Sequence, residues 1–190
     1  MIRWKKYINH LGFAQIIRRG GWELVGGNYF FGQSPAPVVS VEVNRKDGVN
    51  KVAVRYGRKG NGKLLDLSFY GGISRPNPWT LEIRSAGRIL GYKLVNNELE
   101  SRLSKRLDDQ LQRSAARRRG RNERQPTLEA NAKLNLYRPR IIGQPLQGIV
   151  ATKDKLILTV GQESLVFRVW NQHLWLNGEC LIHGKLAGDS

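Results

Sequence analysis

Cysteine is nearly absent. The single thiol, Cys180, sits in the run Glu179-Cys-Leu-Ile182, so no intramolecular disulfide can staple the fold and a structural zinc site lacks its usual thiolates. That usage suits a reducing, cytoplasmic compartment. Histidine is scarce too: His10, His173 and His183 stand far apart, and none belongs to an H-x3-H or H-E-x-x-H spacing. No apolar run reaches the roughly 18 residues of a membrane span, and the N-terminus has no uninterrupted apolar signal region. Residues 1–22 carry Arg3, Lys5, Lys6, Arg18 and Arg19 with no acid, as organelle transit peptides do, but without their serines. Trp4 with Lys5 and Lys6 gives at most a weak hold on an anionic surface, so no stable membrane insertion is expected. No G-x-S-x-G elbow supports a nucleophilic hydrolase, and no cofactor is implied.

Acids are few as well: 15 Asp and Glu face 32 Lys and Arg, a formal charge of +17. An ordinary near-neutral surface is thereby excluded. Five Trp, six Tyr and five Phe within 190 residues nevertheless supply enough apolar area for a packed core.

The hydrophobic period changes along the chain. Trp4, Tyr7, Ile8 and Leu11 fall on one helical face and predict a short helix over about 3–11. Phe13, Ile16 and Ile17 form a second apolar set, read as a kinked continuation or a second short helix ending at Gly20-Gly21. From Trp22 to about Val95 the period is two. Val39, Val41 and Val43 alternate with polar residues, as do Val52, Val54 and Tyr56, with an Asp47-Gly48 turn between the two runs. Further strands are expected at about 63–70, 79–85 and 88–95, paired as an antiparallel meander.

Leu99, Leu103, Leu107 and Leu111 then repeat every four residues behind Asn96 or Asn97, which predicts a long basic helix over 97–119. Beyond the Pro139-to-Pro145 connector, alternation returns at 155–160 and 165–170, and Asn177-Gly178 predicts a hairpin between 173–176 and 179–182. The expected class is α+β, mainly antiparallel β with a short N-terminal helix and one long basic helix. The expected division is 1–96 for the first helix and sheet, 97–125 for the helix and an arginine-rich arm, and 126–190 for strands completing or packing on the sheet.

Two motifs invite catalysis. Gly57-Arg-Lys-Gly-Asn-Gly62-Lys63 matches the glycine and lysine spacing of a phosphate-binding loop, but Leu64 replaces the required Ser or Thr. The alternation of Leu65, Leu67 and Phe69 then makes a strand where the anion site needs a helix N-terminus. A hairpin tip bearing Arg58, Lys59 and Lys63 is the simpler reading. Asp66 and Glu82, with Arg84 after them, loosely resemble the metal-dependent nucleases with a PD-(D/E)-x-K signature. That resemblance implies two acids on a divalent ion, but no Pro precedes Asp66, and Arg84 stays protonated where a lysine is expected. The solvent face of alternating strands accounts equally well for these three residues.

Ile16-Ile-Arg-Arg-Gly-Gly-Trp-Glu-Leu-Val-Gly-Gly27 resembles the helix-to-strand opening of HicA-type toxins, small RNA-cleaving proteins with a double-stranded-RNA-binding-like fold. The histidine used by that family after the strand is missing, since Asn28, Tyr29, Phe30 and Phe31 stand there. Ribonuclease activity is not carried over.

The arginines carry the strongest signal. Arg113, Arg117, Arg118, Arg119, Arg121 and Arg124 face one acid, Glu123, in twelve residues. Such a segment repels itself, whereas a polyphosphate that releases counterions on binding turns the same charge into affinity. Arginine outnumbers lysine 20 to 12 in the chain, which suits forked phosphate contacts and stacking on bases. Trp22, Trp79 and Trp170 are read mainly as packing residues. The expected function is non-enzymatic binding of RNA or DNA through the arm, with Arg58, Lys59 and Lys63 assisting. An adaptor subunit docking an acidic protein partner is the alternative, and a metal-dependent nuclease at Asp66 and Glu82 the third reading.

Overall fold

The structure is a computed structural model that describes residues 13–18, 21–26, 37–46, 48–58, 63–72, 79–85, 88–91, 124–152 and 154–184. Twelve strands and two short helices lie in these segments. The five-stranded sheet is an antiparallel meander of β3 (Val38–Lys46), β4 (Val49–Arg58), β5 (Lys63–Gly72), β6 (Thr80–Ser85) and β7 (Arg88–Gly91). Lys46 pairs with Val49 and Gly48 takes φ +72, so β3 and β4 form the expected hairpin.

The second sheet has seven strands in the order β1-β2-β8-β9-β10-β11-β12. An N-terminal hairpin, β1 (Phe13–Arg18) and β2 (Gly21–Gly26), adds to β8 (Leu146–Thr152) through β2. From β8 the chain continues as a meander through β9 (Lys155–Val160), β10 (Glu163–Trp170), β11 (His173–Leu176) and β12 (Glu179–Ile182). Asn177 at φ 49 and Gly178 at φ 87 give the left-handed pair of residues that a two-residue hairpin turn requires.

Two expectations change. Phe13–Arg18 is a strand, so neither the second short helix nor the helix-to-strand opening of the HicA resemblance is present. A six-residue apolar segment satisfies both periods. Pairing with β2 decides between them by burying Phe13 and leaving Ile16 exposed. The helices expected at 3–11 and 97–119 lie outside the described residues. Among those described, the longest helix is α1 (Arg124–Leu134), followed by α2 (Arg138–Ile141) with Pro139 in its first turn. The segment from 126 onward, expected to be strands, therefore opens with helix. Ala130 and Leu134, spaced four apart, are the buried positions that hold α1 down.

Both sheets feed one continuous apolar core. Trp22 of β2 stacks on Phe69 of β5 with ring centroids 6.4 Å apart, and its indole N–H donates to the Trp79 carbonyl at 2.7 Å. The outer edge of β3 is closed by other parts of the chain. Val38 exchanges backbone hydrogen bonds with Gly143 and Gln144, each 2.8 Å. Farther along, the Asn131 side-chain amide of α1 accepts from Val43 N–H at 3.0 Å and donates to Val43 C=O at 2.8 Å, standing in for a missing strand. Lys133 of α1 reaches the other sheet, donating to the Cys180 carbonyl at 2.7 Å and pairing with Glu179 at 3.3 Å. No helix of the described residues is long and apolar enough to cross a membrane.

Candidate nucleic-acid interface

Much of the arginine arm, namely Arg113, Arg117, Arg118, Arg119 and Arg121, lies outside the described residues, as does Lys59. Arg124 is the first residue of α1. Arg58 closes β4 and Lys63 opens β5 directly opposite it, so the two strands flanking the expected basic tip are paired, while residues 59–62 lie outside the described residues. Because residue 63 begins a strand, the phosphate-loop spacing has no helix behind it.

The two carboxylates singled out by the sequence are each engaged by an arginine. Arg55 Nε donates to Asp66 at 2.9 Å, and that hydrogen bond holds the guanidinium protonated above its ordinary value. Glu82 bonds Arg84 Nε and also accepts from Tyr70 Oη at 3.5 Å. Glu82 is only 2 % exposed, which corrects its reading as a solvent-facing strand residue. Burial of an acid is tolerated here because arginine and tyrosine satisfy it.

The outer face of β9–β12 gathers a different set. Alternation along β10 turns Leu165 and Phe167 into the core and leaves Val166, Arg168 and Trp170 outside. The register then lays Lys155, Arg168, Trp175 and Cys180 across four strands as one rung, with Trp170 opposite His173 on the next. Trp170 is 61 % exposed, in contrast to Trp22 and Trp79, which are buried as packing residues. Trp170, Trp175, Val166, Arg168 and Lys155, with the Asn177-Gly178 turn, line an open groove of about 460 Å³. The Trp175 indole N–H is buried with no acceptor among the described residues. Asp154 partly neutralises Arg168 at 3.7 Å, both side chains being about half exposed.

Chemically, the groove offers indole faces and guanidinium and ammonium charges. Unpaired bases stack on such faces, and phosphates pair with such charges. The signal was legible in the alternation, which places Trp170 on the polar side of its strand beside Arg168.

The fold also brings together side chains that sequence spacing kept apart. His173, Cys180 and His183 place one donor atom each within 4.8 Å of one another. Cys180 Sγ lies 3.7 Å from His183 Nδ1, and the His173 and His183 rings are edge to face with centroids 5.4 Å apart. Burial pushes the Cys180 thiol above its ordinary value, while Lys133 and Arg45 act in the opposite direction. The Cys180-x-x-His183 spacing was the available clue, and the β11–β12 hairpin supplies the third member.

Comparison of the chain with protein-family models, with curated proteins and with solved structures gives no match.

Proposed function

We propose that this chain is a non-enzymatic nucleic-acid-binding protein that engages strands with unpaired bases. Bases stack at the Trp170 and Trp175 groove, and phosphates pair with the arginines of 113–124 and the 57–63 hairpin. The observation that carries the reading is the exposed Trp170 beside Arg168 and Lys155 on one sheet face. An exposed indole costs the fold solubility and contributes little packing, whereas a stacked base is worth about 1–3 kcal/mol per aromatic contact. The formal charge of +17 supplies the attraction that brings a polyanion to that face.

Binding of labelled single-stranded RNA and DNA, followed by fluorescence anisotropy, tests the role of the groove. Trp170→Ala is expected to weaken binding by roughly 5- to 150-fold, the ratio corresponding to one lost stack, while leaving the salt dependence unchanged. Equal affinity in the variant would remove the groove from the interface. A protein cargo that stays bound after nuclease treatment would favour the adaptor reading instead.

A further inference from the structure

We propose that His173, Cys180 and His183 form a metal site that takes a borderline-soft divalent ion, zinc above all, with three protein ligands and one open position. Nothing in the inference depends on nucleic-acid binding.

The donor set fits. Imidazole nitrogen and thiolate sulfur are the ligands zinc prefers, and three of them leave the fourth tetrahedral corner for a solvent or ligand oxygen. The geometry fits as well. Zinc–sulfur and zinc–nitrogen bonds of about 2.3 and 2.0–2.1 Å set a tetrahedral S···N edge of about 3.5–3.6 Å. Cys180 Sγ and His183 Nδ1 stand 3.7 Å apart, inside the tolerance of about 0.2 Å for such sites. In the metal-free chain this short approach is a thiol–imidazole contact, which a bound ion would replace with two metal–ligand bonds.

His173 needs the larger adjustment. With all three donor atoms within 4.8 Å and a tetrahedral N···N edge near 3.3 Å, its ring closes by about 1.5 Å at most. Gly184 N–H now donates to His173 Nδ1 at 3.1 Å. Coordination through Nδ1 displaces that donor, and coordination through Nε2 puts a proton on Nδ1, so either mode releases the Gly184 amide.

The surroundings hold the ligands in place. Arg45, at the end of β3, donates to the carbonyls of both Gln172 and His183, tying together the two segments that carry the histidines. Such second-layer bonds fix ligand orientation. Arg45 and Lys133 are also positive charges near the site, so a dication is tolerated only where the thiolate offsets it. Occupancy therefore depends most on Cys180.

Cys180 is the only cysteine in the chain, so its reactivity reports this site alone. Reduced full-length protein, freed of reductant, is treated with a disulfide reagent with and without one equivalent of Zn²⁺. The expected result is a rate lowered by about tenfold or more, restored by a chelator. Co²⁺ in place of zinc should give a sulfur-to-cobalt charge-transfer band and quench Trp175, whose ring lies 6.1 Å from that of His173. Cys180→Ser should lose the band, and His173→Ala with His183→Ala should lose the thiol protection while retaining the wild-type melting transition. An unchanged thiol rate in the wild-type chain would overturn the proposal without reference to any variant. So would protection that survives removal of both histidines.

Discussion

Asn131→Ala tests how the two sheets are joined. In the native chain the amide of Asn131 satisfies both backbone groups of Val43 on the open edge of β3, at 3.0 and 2.8 Å, and also donates to the Thr127 carbonyl. Truncation leaves Val43 N–H and C=O facing the apolar side of α1 without partners. Each such group costs about 1–3 kcal/mol, and partial burial places both near the lower end, which gives about 2–3 kcal/mol in all. The Thr127 carbonyl adds little, because a helix carbonyl already has a backbone donor. For a chain of 190 residues this corresponds to a fall in melting temperature of about 4–12 °C. Urea unfolding followed by tryptophan fluorescence should show the loss as a lower midpoint with unchanged slope. Asn131→Asp keeps the acceptor for Val43 N–H but turns a carboxylate oxygen toward two carbonyls, so it should be no better than alanine. Leu128→Ala, on the exposed side of the same helix, should stay within about 0.5 kcal/mol of wild type. An Asn131→Ala chain as stable as the Leu128 control would refute the edge-closing role of the amide.

Two further outcomes follow from the core. A Cβ on Gly71 would lie 2.5 Å from the ring of Trp79, itself 1 % exposed, so Gly71→Ala should destabilise by about 1–3 kcal/mol through overpacking, read by the same unfolding assay. Burial raises the Tyr56 phenol to about 12, so the fold favours its neutral form. The unfolded chain ionises near 10 and binds fewer protons above that pH, so stability falls as pH rises from about 10 to 12. Tyr56→Phe should flatten that window in a pH series of denaturant midpoints, and an identical slope in the two chains would contradict the assignment.

Local rules carried the β structure a long way. Alternation and the Asp47-Gly48 and Asn177-Gly178 signals located the strands of the first meander and, in the second, those from β9 to β12, because each strand is half-buried and each turn has its own chemistry; β8 was not expected. They failed at Phe13–Arg18, where the segment is too short for its period to be unique and a partner strand decides. They also missed α1, whose hold on the protein is two buried positions, Ala130 and Leu134, and an asparagine that bonds a strand 88 residues away in sequence. Pairing across strands was equally out of reach. The rung of Lys155, Arg168, Trp175 and Cys180, and the meeting of His173 with Cys180 and His183, exist only once the register is set. Glu82 read as a surface acid because alternation assigns it to the polar face, and only the assembled sheet shows this position of that face buried while Asp66 and Arg84 stay partly exposed.

The reading of this chain as a nucleic-acid-binding protein is tested most directly by the salt dependence of binding. Labelled single- and double-stranded RNA and DNA are titrated across about 50–300 mM salt, with wild type beside a variant carrying Arg117→Glu, Arg118→Glu and Arg119→Glu. About six phosphate contacts from the arm predict that log affinity falls with log salt at a slope of about −4 to −5, with unpaired strands preferred and a shallower slope in the variant. Absence of binding at low salt, or affinity that neither salt nor the charge reversal changes, would contradict the account.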